Sequence, residues 1–128
     1  MHITGIYAAL AALLVLTLST RVVLRRIKLR VGLGDGDDKE LRKRIRAQAN
    51  AIEYLPIALL LLLILELNQT QTNWLHAFGI VLIIARMAHA FGLSRSGGPS
   101  PARLAGTTLT FILMLVMALL LLWQFALR

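Results

Sequence analysis

Four long apolar segments dominate the sequence, and each is long enough to cross a membrane as a helix. A hydrocarbon core about 30 Å thick requires about 20 apolar residues in helical conformation. The segments cover about residues 3–24, 47–67, 74–93 and 104–127. In the first segment the positive charges follow the apolar stretch, which argues against a cleaved signal peptide. The pattern predicts an all-α membrane protein, a four-transmembrane-helix bundle forming a single domain over residues 1–128.

The second helix is expected to begin ahead of its apolar segment. The turn-forming sequence GLGDGD precedes it, and Asp37 and Glu40 have the spacing of a capping box. A helix from about residue 38 to 67 would measure roughly 45 Å at 1.5 Å per residue, which exceeds the thickness of the bilayer core. We therefore expect a helical extension outside the membrane over about residues 38–46. Glu66, near the other end of this helix, is interpreted as a solvated helix end.

Positive charge is concentrated in two of the three connections. Ten Lys or Arg residues lie within residues 21–46, Arg95 and Arg103 flank the third connection, and the second connection, ELNQTQTN, has none. With four spans, the first and third connections lie on the same side of the membrane. The positive-inside rule makes that side cytoplasmic and puts both termini outside.

Composition supports a membrane protein over a soluble one. The chain has 128 residues, of which 58% are hydrophobic and 16% charged, and its net charge is +8. In a soluble domain this charge would suggest nucleic acid, but the apolar spans favour membrane lipids as partners and predict no nucleic-acid binding. The absence of cysteine excludes disulfides, thiolate zinc sites and a cysteine nucleophile. Three scattered histidines predict no metal site.

A polar stripe marks the start of the second span. Arg42, Arg46, Asn50 and Glu53 fall within roughly 80° of one another at about 100° per residue. A carboxylate such as Glu53 is costly in hydrocarbon unless it is paired or hydrated. One interpretation is a clasp between helices, in which Glu53 pairs with Arg46 or Asn50. The other is a ligand site.

The third span carries a second polar pair, because Arg86 and His89 are three residues apart and share a helix face. A structural interpretation gives His89 a hydrogen bond between helices and pairs Arg86 with Glu53 of a neighbouring helix. Arg103, where the fourth span begins, is either a snorkelling arginine or a site residue. As a group, these residues predict a cytoplasmic cavity with arginines, one carboxylate and one amide, which suits a zwitterionic ligand bearing carboxylates.

The stretch RIRAQANAIEYLP, residues 44–56, resembles the signature of the MAPEG family, the membrane-associated proteins in eicosanoid and glutathione metabolism. The shared positions are Arg46, Gln48, Asn50, Glu53, Tyr54 and Pro56. The sequences RMAH from Arg86 and RLA from Arg103 resemble motifs of the family's third and fourth helices. GLGDGDDKELRKRIRAQAN resembles the small bacterial members that are similar to microsomal glutathione transferases, which implies a bacterial inner membrane.

The resemblance implies a homotrimer with glutathione bound as co-substrate between neighbouring protomers. Arg103 would lie beside the sulfur as the catalytic residue, and a first-helix arginine of the adjacent protomer, Arg26 or Arg25, would contribute. The residues implied to bind or surround glutathione are Arg46, Asn50, Glu53, His89, Arg86, Tyr54, Gln48 and Arg26. The implied activity is that of a glutathione transferase, with or without peroxidase activity, toward lipophilic electrophiles.

Two positions depart from the pattern of active relatives. Several of these carry a tyrosine four residues after the His89 position, where this chain has Leu93. The residue after Arg103 is Leu104, where one branch has a hydroxyl. A non-catalytic glutathione- or lipid-binding membrane protein is therefore the first alternative. A small transporter that uses Glu53 is the second, although the spans show neither inverted repeats nor paired Gly/Pro breaks.

Overall fold

The computed structural model describes residues 2–95, 98 and 100–127, and the described chain forms four α-helices. They are α1 (Ile3–Leu29), α2 (Lys39–Leu67), α3 (Thr72–Arg95) and α4 (Pro101–Ala126). Each is long and apolar enough to cross a membrane. The predicted all-α bundle of four spans is confirmed. Of the predicted third connection, Ser96, Gly97 and Pro99 lie outside the described residues.

The start of α2 differs from the predicted capping box by one residue. Asp38 is the N-cap, and its carboxylate accepts a hydrogen bond from the backbone N–H of Leu41 at 2.6 Å. Asp37 adopts a left-handed backbone conformation with φ of 57°, so it belongs to the preceding turn. Asp38 therefore supplies the acceptor that the free N–H groups of a helix start require, and Asp37 does not.

Helix α3 occupies the centre of the bundle. It packs against α1, α2 and α4, whereas α1 and α4 make no close contact within the described residues. Half of its most apolar stretch is buried, against 17% in α4. The apolar core includes several side chains from α2, α3 and α4 that are almost fully buried: Leu62, Leu65, Leu82 and Met117. The outward faces of α1 and α4 are rich in exposed leucine, which suits contact with lipid.

Glu66 caps α1 instead of standing in solvent. Its carboxylate accepts hydrogen bonds from the backbone N–H groups of Ile3 and Thr4 at 2.5 and 2.9 Å, and its side chain is 11% exposed. The N-cap residue His2 supplies no side-chain acceptor, so the first N–H groups of α1 need one from elsewhere. The interpretation of Glu66 as a solvated helix end is therefore wrong, because this carboxylate joins the end of α2 to the start of α1.

Two more polar contacts join the helices at the same end. The Tyr7 hydroxyl of α1 lies 2.8 Å from His76 Nδ1 of α3. Gln124 of α4 accepts a hydrogen bond from Asn68 Nδ2 at 3.0 Å and donates one to Thr70 Oγ1 at 2.9 Å. We call this the Glu66 end of the bundle. The opposite end, where α1 and α3 finish and α2 and α4 begin, is the Arg103 end.

Candidate functional site

The predicted polar stripe lies on an open face of α2 at the Arg103 end. Arg46 and Glu53 are exposed, and Asn50 is half-buried. The opposite face of this segment buries small and apolar residues, Ala47, Ala51 and Leu55. No ion pair within the described residues involves Glu53, so the expected clasp between Arg46 and Glu53 is not formed. The stripe is therefore left facing outward.

Arg86 lies inside the bundle, behind the stripe. It is 2% exposed, and its Nη2 donates a hydrogen bond to Asn50 Oδ1 at 2.9 Å. Its guanidinium carbon lies 5.5 Å from the centroid of the Tyr54 ring, a cation–π contact. The predicted pairing of Arg86 with Glu53 is wrong. Asn50 and Tyr54 lie on one edge of the stripe, whereas Glu53 lies about 60° further round the helix than Asn50.

The positive charge of Arg86 therefore has an amide and an aromatic ring for partners, but no carboxylate in the part of the chain described here. Its Nε also has no hydrogen-bond partner among the described residues. An arginine side chain donates hydrogen bonds and accepts none, so the oxygen of Asn50 must face it. The Asn50 amide NH₂ is consequently free to face the stripe.

His89 lies one helical turn beyond Arg86 and is 3% exposed. The structure gives its side chain no hydrogen bond to another described residue, so the bond expected between helices is not formed. Its backbone instead packs tightly against Gly106 of α4. His89 is thus a wall residue at the contact between α3 and α4.

Arg103 lies in the first turn of α4. The N-cap Ser100 accepts the backbone N–H of Arg103 on its Oγ at 3.3 Å, and Thr107 Oγ1 donates to the Arg103 carbonyl at 3.0 Å. The Arg103 side chain is half-buried at the edge of a cavity of about 340 Å³. We call this the basic cavity. It is lined by Lys39, Arg42, Lys43, Arg46, Leu93 and Arg103.

The basic cavity combines five cationic side chains with one apolar residue, and its described lining has no carboxylate. Two of the cations are already paired, because Arg42 bonds Asp35 and Lys43 Nζ lies 3.7 Å from Glu40. Lys39 is exposed and has no ion-pair partner in the described chain. Arg46 and Arg103 have no ion-pair partner among the described residues. The volume lies within the range of small-molecule pockets. The cavity is therefore suited to an anionic ligand held by these two arginines.

A second cavity of about 370 Å³ lies on the other side of Arg46 and is lined in part by Arg26. Arg26 Nη1 is buried without a partner in the described chain. Arg25 instead makes a bidentate ion pair with Asp38, with N–O distances of 3.1 and 2.7 Å. Of the two first-helix arginines considered from the sequence, Arg25 is therefore committed to an ion pair, whereas Arg26 has none within the described residues.

Gln48 and Tyr54, both expected as wall residues, have different surroundings. Gln48 Nε2 donates to Ser19 Oγ at 2.9 Å, so this side chain ties α2 to α1 and lies away from the stripe. Tyr54 stands between Arg86 and the Phe111 ring of α4, whose centroid is 5.4 Å away. The structure thus brings Tyr54 to the stripe, but not Gln48.

Two cations of the basic cavity, Lys39 and Lys43, are not among the residues predicted for the site from the sequence. They were counted only among the charges that set orientation. Their spacing from Arg46, at i−7 and i−3, is the signal that could have found them, because it places all three on one side of α2.

The sequence model of the MAPEG family matches residues 4–123, a range that includes almost all of the four helices. No curated protein shows significant similarity to the chain. The match agrees with four apolar helices and with the Arg–Asn–Glu stripe on α2. The chain therefore belongs to the MAPEG family, and it is a multi-pass integral membrane protein of this family of glutathione and eicosanoid metabolism.

Proposed function

We propose that the protein is a glutathione transferase that joins the glutathione thiolate to lipophilic electrophiles at the Arg103 end of the bundle. The observation that carries the proposal is the uncompensated charge of Arg46 and Arg103 at one cavity in a MAPEG protein. Glutathione brings two carboxylates and, when ionised, a thiolate. Charge-assisted hydrogen bonds from guanidinium groups are among the strongest that a protein can offer to such groups.

Each polar residue of the stripe has a chemical counterpart in the tripeptide. Arg46 binds a carboxylate, the NH₂ of Asn50 donates to a carbonyl or carboxylate oxygen, and Glu53 accepts from the ammonium group. Arg86 orients Asn50 by holding its Oδ1 at 2.9 Å. His89 forms the wall behind them.

The open position of Glu53 supports a homotrimer with the ligand between protomers. Glu53 is followed on the same helix face by the exposed apolar residues Ile57, Leu60 and Ile64. An exposed carboxylate facing lipid is costly, and an apolar face beside it is suited to covering by a neighbouring protomer. A second copy seated on this face, with glutathione beneath it, would satisfy both Glu53 and Arg46.

Arg103 serves the chemical step. Only the thiolate attacks, and a free thiol with a pKa of about 8.5 is mostly protonated at neutral pH. A guanidinium beside the sulfur favours the anion and lowers the pKa of the thiol. The thiol proton passes to water, the sulfur lone pair forms the new S–C bond, and the leaving group departs with its bonding electrons. Leu93 and Leu104 add no hydroxyl, so Arg103 acts alone in this step.

The orientation proposed from the loops has the Arg103 end in the cytoplasm of a bacterial cell and both termini outside the inner membrane. Trp74 and Trp123, 57% and 60% exposed, lie at the Glu66 end, where they suit an aromatic belt at the opposite membrane interface. Glutathione would reach the stripe from the cytoplasm, and the lipophilic electrophile from the bilayer.

The second candidate is a non-catalytic glutathione-binding protein, which is favoured by the apolar Leu93 in the cavity lining. Calorimetry with glutathione and turnover of chromogenic aryl halides and lipid hydroperoxides by purified protein separate the two. We expect saturable glutathione binding and conjugation of at least one halide. Binding without turnover of any electrophile would favour the second candidate, and absence of binding would overturn both.

A further inference from the structure

Helix α4 lies close against α3 one turn beyond Arg103, at Gly106. A Cβ atom added to Gly106 would lie 2.5 Å from the carbonyl oxygen of Ala85 and 2.7 Å from the backbone nitrogen of His89. These are backbone atoms, so a change of side-chain rotamer cannot relieve the overlap. Small residues permit this close approach of helices in membranes. Any larger residue at position 106 would therefore push α4 away from α3.

A second close approach lies at Arg103 itself. A Cβ atom added to Gly92 of α3 would lie 2.6 Å from the backbone nitrogen of Arg103 and 2.8 Å from Ser100 Oγ. Ser100 is the N-cap of α4 and accepts that same N–H of Arg103. Gly92 thus contacts the turn from which the Arg103 side chain projects, and Gly92 and Gly106 lie at successive contacts between α3 and the start of α4.

The glycines differ in what an added Cβ atom would meet, so two of them can serve as control positions for the substitution to alanine. Gly79 of α3 leaves no room for a Cβ either, but its neighbour is the Tyr7 ring at the Glu66 end. Gly5 of α1 has no heavy atom within 4 Å of an added Cβ. Gly79 is therefore a control for tight helix packing remote from the basic cavity, and Gly5 is a control for the substitution itself.

We propose that Gly92 and Gly106 are positioning residues that fix the Arg103 guanidinium at the basic cavity, a role that rests on the function proposed above. A Cβ at Gly106 would lie 2.5 Å from the Ala85 carbonyl oxygen, and lengthening this distance to the 3.4 Å of ordinary contact requires a shift of about 0.9 Å. Coulomb energy varies inversely with distance, so moving a charge from about 4 to about 5 Å removes about a fifth of it. A displacement of about 1 Å can lower a rate by about 100-fold.

The test measures the pKa of glutathione bound to Gly106→Ala and Gly92→Ala, from the ultraviolet absorbance of the thiolate. We expect the pKa of the bound thiol to rise toward about 8.5 and conjugation at neutral pH to fall about 10-fold to 100-fold. The Kd for glutathione should change by less than about threefold, because the stripe on α2 stays in place. A purely structural role would lower stability and leave the thiol pKa unchanged.

The controls and a third variant decide the outcome. Gly79→Ala should lower thermal stability without altering the thiol pKa, and Gly5→Ala should alter neither. If Gly106→Ala does not fold, Ser100→Ala loosens the Arg103 turn without adding atoms, and it should raise the thiol pKa in the same direction. An unchanged pKa in the folded variants, or an equal rise in Gly79→Ala, would overturn the proposal.

Failure of this inference and failure of the proposed function give different results. If the unmodified protein does not bind glutathione, or binds it without lowering the pKa of its thiol, the proposed function fails. If the unmodified protein lowers that pKa and the Gly106→Ala, Gly92→Ala and Ser100→Ala variants lower it equally, only the positioning role fails.

Discussion

The two ends of the bundle differ in how far their polar groups are satisfied by one another. At the Glu66 end, the Glu66 carboxylate caps α1 and the Tyr7 hydroxyl meets His76 of α3. At the Arg103 end, Arg46 and Arg103 face one cavity, and neither has a carboxylate partner among the described residues. Polar groups at the first end use each other to hold the helices together. At the second end, pairs such as Arg25 with Asp38 also join the helices, but Arg46 and Arg103 keep their hydrogen-bonding capacity for something else.

The difference separates two uses of polarity in a membrane protein. A buried polar group left without a partner costs about 1–3 kcal/mol, so each such group requires a structural or functional explanation. Arg86 is the clearest case, since it is 2% exposed and its Nε has no partner within the described chain. Most of the net charge of +8 lies within residues 21–46, at the facing ends of α1 and α2 and in the connection between them, and is explained by orientation. Orientation does not explain the charges of the arginines at or within the spans, which are Arg46, Arg86 and Arg103.

Arg103→Ala should have the largest effect, because it removes the charge proposed to stabilise the thiolate. Loss of one such electrostatic group typically lowers kcat by about 10²-fold to 10³-fold. We expect a rate loss of this size at neutral pH with little change in the Kd for glutathione, measured by conjugation kinetics and calorimetry. The rate should recover partly at higher pH, where the free thiol ionises.

Arg95→Ala is the matched control for that variant. Arg95 is a cation at the same end, but its guanidinium stacks on the Phe91 ring at 4.3 Å instead of lining the basic cavity. This control should conjugate at an unchanged rate. Equal losses of affinity and rate in Arg103→Ala would mean that Arg103 binds glutathione and has no separate role in the chemical step.

Glu53→Gln tests the binding side of the Arg103 end. A hydrogen bond to a charged group contributes about 1.5–3 kcal/mol, which corresponds to a loss of affinity of about 10-fold or more. We expect the Kd for glutathione to rise by this factor. Glu40→Gln makes the same change at a carboxylate that does not line the basic cavity, although it pairs with the lining residue Lys43 and with Arg44, so the Kd should change much less than in Glu53→Gln. An unchanged Kd in Glu53→Gln would remove Glu53 from the site.

The fold could be predicted from the sequence because its cause is local. Each span is an apolar run of the length that a bilayer requires, and the faces of α2 follow from a period of 3.6 residues. The role of Glu66 could not be predicted in this way. Its partner Ile3 lies 63 positions away along the chain, and nothing near Glu66 signals that the start of α1 meets the end of α2.

The candidate site could be predicted only in part, because Lys39 and Lys43 were missed and Gln48 lies away from the stripe. The spacing of Arg46, Asn50 and Glu53 fixes a shared face of α2. The spacing does not show which edge of that face meets α3. Asn50 lies on the edge that does, so Arg86 bonds Asn50 and not Glu53. The start of α2 shows the same limit over a short distance in sequence, since Asp37 has a positive φ and the N-cap is the next residue, Asp38.

Glu66→Ala should affect stability without affecting the chemistry, which sharpens the contrast between the two ends. Removing a helix cap typically costs about 1 kcal/mol. We expect a lower thermal midpoint in detergent, and a glutathione Kd and conjugation rate like those of the unmodified protein. A loss of glutathione affinity at unchanged stability would mean that the Glu66 end also belongs to the site.

Asp38→Asn should have the smallest effect, and it tests whether any polar group at the Arg103 end is purely structural. The hydrogen-bonded Arg25 guanidinium, and then the backbone N–H of Leu41, hold the pKa of the Asp38 carboxyl below its usual value. A lowered pKa in the folded protein stabilises the fold above the unfolded value of about 3.9, and this contribution is lost as the pH falls through the folded value. Asparagine is also a good N-cap, so the variant removes the charge pair and keeps the cap.

Unfolding midpoints of the Asp38→Asn variant and the unmodified protein should therefore differ slightly at pH 7 and converge as the pH falls below about 4. High salt should reduce the difference at pH 7, because both side chains are partly exposed and their attraction is screened. A difference that persists in acid would assign the effect to the cap geometry instead of the ion pair.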